Sequence, residues 1–129
     1  MRVFALVLVG FVAFQHFGFL ILEMFLWSQP IGLKVFGLTP EFAVESASLA
    51  ANQGLYNGFL SAGLVWSLAT RNDAFGKRLF FLGCVVVAGL FGAATASRSI
   101  LFIQALPAAV ALVFVILSNR NAVRTAASK

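Results

Sequence analysis

Asn52, Gln53, Tyr56 and Asn57 put three carboxamides and a phenol at the head of an apolar run. Such side chains hold a ligand by hydrogen bonds or steady charge that develops in a reaction, and in hydrocarbon each is costly unless partnered. On a helix turning about 100° per residue, the four fall within roughly 140° of arc. Two ionisable groups precede them in the chain. His16 and Glu23 stand with Trp27 at i, i+7 and i+11, within about 40° on one helical face. By residue type His16 is a proton shuttle, Glu23 an acid or base, and Tyr56 a support for charge. The chemistry open to this set is binding of an amphipathic molecule or acid–base catalysis, such as isomerisation, on a lipophilic one.

Composition dictates the framework that holds these groups. Of 129 residues, 61% are hydrophobic and only 10% charged, with a mean hydropathy of +0.99. A soluble domain carries about 25% charged residues, so the chain is read as a membrane protein. Apolar runs cover residues 3–27, 47–69, 75–96 and 100–118. Each reaches or approaches the ~20 residues needed to cross ~30 Å of hydrocarbon. The links between them are short, and the expected fold is all-α: one domain over residues 1–129, a membrane-spanning up-down four-helix bundle. Residues 1–27 begin like a signal peptide, but the length of the run and the polar Gln15, His16 and Glu23 within it argue for a retained helix.

The net charge of +5 reports topology. Arg2, the group Arg71, Lys77 and Arg78, and the group Arg120, Arg124 and Lys129 fall on one side of a four-span serpentine, while Lys34 and Arg98 share the other with Glu41 and Glu45. By the positive-inside rule both termini are cytoplasmic. No nucleic-acid partner is expected, and the bilayer is the expected surrounding. Cys84, the single cysteine, lies within the third run and reads as a small apolar residue with no disulfide. One histidine and one carboxylate without a cysteine partner make no convincing metal site, so no metal and no other cofactor is expected.

Between the first two runs, residues 28–46 read as the one sizeable loop, interrupted by Pro30 and Gly32. Within it, Thr39-Pro40-Glu41 has the pattern of an N-cap, a first helical residue and an acid at the positive dipole end. A helix from Pro40 into the second span would stack Glu45 and Ser48 above Asn52 and Tyr56. Pro107 in the fourth span is expected to free the carbonyl of Ile103 and bend the helix, and residues 119–129 read as a frayed polar tail. Trp27 and Trp66 near opposite faces suit the aromatic belts.

At ~1.5 Å of rise per residue, Glu23 lies about 6 Å and His16 about 16 Å below Trp27, and Asn57 about 13 Å below Ser48. Glu23, Asn52, Gln53, Asn57, Thr95, Arg98 and Gln104 then share the outer half of the bundle, with His16 near midplane. This asymmetry describes an outward-opening polar pocket, with Glu23 and Arg98 as an ion pair at its mouth and His16, Glu23, Trp27, Asn52, Gln53, Tyr56, Asn57, Arg98 and Gln104 as its ligand-binding set. The plainer reading stands beside it: amides and phenols in membrane bundles also serve as interhelical hydrogen bonds worth about 0.6 kcal/mol each. Gly54, Gly58 and Ala62, at i, i+4 and i+8, form a small-residue ridge suited to another helix, and so to a homo-oligomer or an assembly role.

His16, Glu23-Met24 and Trp27, followed by Asn52-Gln53-Gly54-Leu55-Tyr56-Asn57-Gly58-Phe59-Leu60 and Ala62-Gly63-Leu64, resemble the bacterial membrane family called domain of unknown function 1304. The likeness runs over essentially the whole chain. It implies a small four-span protein of the bacterial inner membrane and supplies no activity.

Overall fold

The computed structural model describes residues 1–128, and Lys129 of the basic flank lies outside the described residues. The described chain is helical, without strands: α1 Arg2–Phe25, α2 Pro30–Phe36, α3 Pro40–Ala69, α4 Ala74–Thr95, a π-helical turn Leu101–Ala105, and α5 Leu106–Ala127. Three segments are long and apolar enough to cross a membrane, Arg2–Phe25, Ala74–Thr95 and Leu101–Thr125. The 30-residue α3 has the length to cross, about 45 Å at 1.5 Å per residue. Its acids and amides dilute its apolar content, and it does not join the three.

Several boundaries correct the sequence expectation. The loop at 28–46 is largely helical, because Pro30 opens α2 and Gly37, at φ 65°, closes it. A left-handed residue here lets Leu38 N–H return to the Leu33 carbonyl at 3.0 Å. α3 starts at Pro40 as read, and Thr39 Oγ1 accepts from Phe42 N–H at 3.3 Å. The tail is not frayed through its length, since α5 continues to Ala127.

The chain divides into two compact units, Phe14–Ala62, and Met1–Ala13 with Gly63–Lys129. In the first, the end of α1 runs antiparallel to α3. A Cβ at Gly54 would sit 2.7 Å from Met24 Cγ, and one at Gly58 would sit 2.5 Å from Leu20 Cδ1. As α3 advances one turn its partner retreats one turn, and only glycine permits that spacing.

In the second unit α4 packs on the π-helical turn and α5. A Cβ at Gly89 would meet Ala105 N at 2.8 Å, and one at Gly92 would meet Ile100 at 3.2 Å. Ile100 and Ala105 are five residues apart, which on an α-helix would point them about 140° away from each other. The wider i→i+5 turn between them returns both to one face. Pro107 therefore does not simply kink a regular helix: it follows directly on the π-helical turn, in the first turn of α5, and Ile103 is not left without a partner.

Outward faces are apolar. Phe4, Val7, Phe11 and Phe14 on α1, and Val87, Leu90 and Phe91 on α4, are exposed while Ala5, Val9 and Val12 are buried. Large side chains outside and small ones inside suit a hydrocarbon surrounding, where close packing rather than apolar burial holds helices together.

We predict that Gly89→Val, which drives a side chain into the Ala105 backbone, lowers stability by about 1–3 kcal/mol. Gly83→Val, at a site where a Cβ meets nothing within 4 Å, should be close to neutral. Unfolding by SDS titration in mixed micelles checks the contrast, and equal stability of the two variants would refute this packing.

Candidate functional site

Within the unit Phe14–Ala62, two of the polar side chains meet across the α1–α3 contact. Asn57 Nδ2 donates to Glu23 Oε2 at 2.7 Å. The bond exists because of the glycine one turn earlier: a Cβ at Gly54 would lie 3.1 Å from Glu23 Cβ. With no side chain between the backbones, a short amide reaches a carboxylate across the helix pair.

The identity of Asn57 as the inward residue is a matter of phase. Among the buried positions of α3, Ala50, Gly54, Asn57, Ser61 and Leu64 alternate by four and three as in a coiled-coil seam. Asn57 occupies a seam position that would otherwise take an apolar side chain, and only 6% of it is exposed. Asn52, Gln53 and Tyr56 fall outside the seam and are exposed. Tyr56 is 51% exposed, its ring 6.2 Å from Phe59 on its own helix. The expected arc of four polar residues thus splits, one inward and three outward. The glycine ridge is re-phased likewise: Gly54 and Gly58 receive Met24 and Leu20 of α1, while Ala62 is exposed.

Of the stripe expected on one helical face, His16 and Glu23 lie on α1, while α1 ends at Phe25, before Trp27. His16 is fully buried, its ring edge-on to Phe19 at 5.6 Å, and it has partners. Glu23 and Trp27 come next, at half-buried positions. Trp27 stands in the turn after α1, where Nε1 donates to Ser46 Oγ at 3.0 Å and Ser46 Oγ donates to the Phe42 carbonyl at 2.6 Å. Its indole lies against Phe36 of α2, 4.7 Å between ring centres. Gly32 lets α2 close over this turn, since a Cβ there would collide with the carbonyls of Leu26 and Trp27. Ser46 was absent from the sequence-based set. The register set by Gly54 and Met24 would have pointed to the stretch of α3 that contains it, but that register is visible only once the helices are paired.

Arg98 and Gln104 belong to the other unit. Arg98 is exposed between α4 and the π-helical turn, and Gln104 is half-buried on that turn. The partner that Glu23 has within its own unit is a neutral amide rather than a cation. Chemically the pair is an acceptor site. An amide N–H bonded to one carboxyl oxygen leaves Glu23 Oε1 and Asn57 Oδ1 with acceptor capacity, next to the aromatic surface of Trp27 one turn away. Among the described residues no group of three His, Cys, Asp or Glu side chains is arranged to hold a metal.

Comparison with known proteins gives a family and no chemistry. Residues 10–116 match the family model described as "Protein of unknown function (DUF1304)". The chain is similar to the uncharacterized protein YpaA of Lactococcus lactis subsp. lactis (strain IL1403), 27% identical over 115 residues, covering 88% of this chain and 97% of YpaA. No solved structure matches.

The Glu23–Asn57 contact predicts coupled energetics. Asn57→Leu strands a carboxyl group and should cost about 1–3 kcal/mol. In a Glu23→Leu background the same substitution should cost far less. The resulting coupling, about 0.6–1.7 kcal/mol, is measurable by a double-mutant cycle in mixed micelles, and strict additivity would refute the contact.

Proposed function

This chain belongs to the family of proteins of unknown function DUF1304, and we propose that it is a small multi-pass protein of the bacterial inner membrane that binds, and in doing so retains or moves, a small lipophilic molecule with a hydrogen-bond-donating end. In this reading α3 joins the three apolar segments as a fourth span, the helices run up and down, and both termini are cytoplasmic. Support for that orientation comes from the basic residues at the N-terminus, in the α3–α4 turn and after the last span.

The observation that carries the binding reading is the 2.7 Å bond between Asn57 and Glu23. A carboxyl group in an apolar helix is costly and, in membrane proteins, functional by default. An amide satisfies one of its oxygens without neutralising it, which leaves a demand for a donor. A hydroxyl or ammonium group on the ligand meets that demand at Glu23 Oε1, and an apolar body suits the aromatic surface of Trp27 and Phe36. The acid–base reading is weaker. Its three groups were His16, Glu23 and Tyr56, and Tyr56 lies outside the buried seam of α3. Assembly through the glycine ridge is weakened by the Met24 and Leu20 side chains already seated at Gly54 and Gly58.

The test is native mass spectrometry with lipid extraction on the full chain in mild detergent, comparing wild type with Glu23→Gln and Asn57→Leu. Glu23→Gln keeps an acceptor for Asn57 and so preserves the helix contact while removing the charge. We expect a specific small molecule on the wild type and about tenfold less on each variant, a change of about 1.4 kcal/mol. An equally empty wild type, or equal retention by all three, would overturn the reading.

A further inference from the structure

A second polar site lies in the other unit. Arg2 at the start of α1, Thr70 and Arg71 in the α3–α4 turn, and Arg78 in the second turn of α4 line a cleft of about 560 Å³ whose apolar wall is Leu6 and Leu68. Arg2 and Arg78 face the same cleft, and among the described residues no acidic side chain lines it. Of the neighbouring charges, Asp73, at the N-cap of α4, holds its carboxylate beside Gly76 and does not line the cleft. Lys77 Nζ donates to the Asn72 carbonyl at 2.6 Å and rests 4.6 Å from the centre of the Trp66 ring.

Arg78 is anchored at one end only. One of its terminal nitrogens donates to the Ser67 carbonyl at 2.9 Å, whereas its Nε is buried without a hydrogen-bond partner. Like charges gathered around a cleft with an unsatisfied guanidinium N–H repel one another unless an anion joins them, and guanidinium groups match phosphate oxygens in geometry. We propose that this cleft binds a phosphate-bearing anion, held by Arg2, Arg71 and Arg78 with the Thr70 hydroxyl beside them, its organic part against Leu6 and Leu68. The apolar wall suits the glycerol and first methylenes of an acidic phospholipid. A soluble phosphate would use the arginines alone.

The experiment is native mass spectrometry of the full chain with equimolar phosphatidylglycerol and phosphatidylcholine, with inorganic phosphate as competitor. The wild type should retain phosphatidylglycerol preferentially. Arg2→Gln with Arg71→Gln, both exposed and so tolerated by the fold, should cut that preference about 25-fold, at roughly fivefold per arginine. Arg120→Gln with Arg124→Gln removes equal charge from residues that do not line the cleft and should leave the preference intact. If inorganic phosphate protects the wild type against unfolding and displaces the lipid, the phosphate comes from a soluble ligand. If it does neither, the ligand is the lipid headgroup. No preference for phosphatidylglycerol together with no effect of inorganic phosphate would overturn the proposal. Equal losses in the two double variants would also do so, since that outcome describes diffuse attraction to acidic surfaces.

Discussion

The absence of a side chain at Gly54 is the constraint on which the unit Phe14–Ala62 is built. A Cβ there would press on Met24 and Glu23, so any larger residue would part the helices and carry Asn57 out of reach of the carboxylate. Between apolar helices such as these, close contact and interhelical hydrogen bonds hold the partners together. Gly54 supplies the first and thereby makes the second possible. A costly acidic group is thus tolerated at a spot where the backbone was already arranged for intimacy.

The two units are held by different means. Met1–Ala13 with Gly63–Lys129 relies on small residues in its interior, Gly89 against Ala105 and Ala108 and Ala111 in the buried face of α5. Its polar contacts concentrate near the α3–α4 turn, where Arg78 and Lys77 bond to backbone carbonyls. Phe14–Ala62 instead keeps a hydrogen-bonded pair of side chains on its seam.

Much of this was legible in the residues alone. Thr39-Pro40 announces the start of α3, and His16 and Glu23 fall within one helix as read, whereas that helix ends before Trp27. The side of α3 that Asn57 occupies was not. An arc of roughly 140° is wide enough to straddle a boundary between buried and exposed, and the residues within it are alike in polarity. A seam alternating by four and three assigns Asn57 inward and Asn52, Gln53 and Tyr56 outward, but that alternation emerges only from the partner helix. Ser46 was illegible for a related reason, lying before the apolar run and acting through the tryptophan of a turn. The π-helical turn gave no local signal beyond Pro107, which reads equally well as a kink.

That wide turn has a consequence for how the chain tolerates changes of length. Gly89 and Gly92, three residues apart on α4, meet Ala105 and Ile100, five apart on the other side. The mismatch is absorbed by winding, and no residue is looped out. Shortening this segment by one residue would tighten the turn to ordinary α-helical pitch and bring a different neighbour opposite Gly92, with the helix axis unbroken. Insertions and deletions here therefore act as changes of gear: they rotate the chain before the turn against the helix after it, and the apolar length of Leu101–Thr125 stays close to what a bilayer requires.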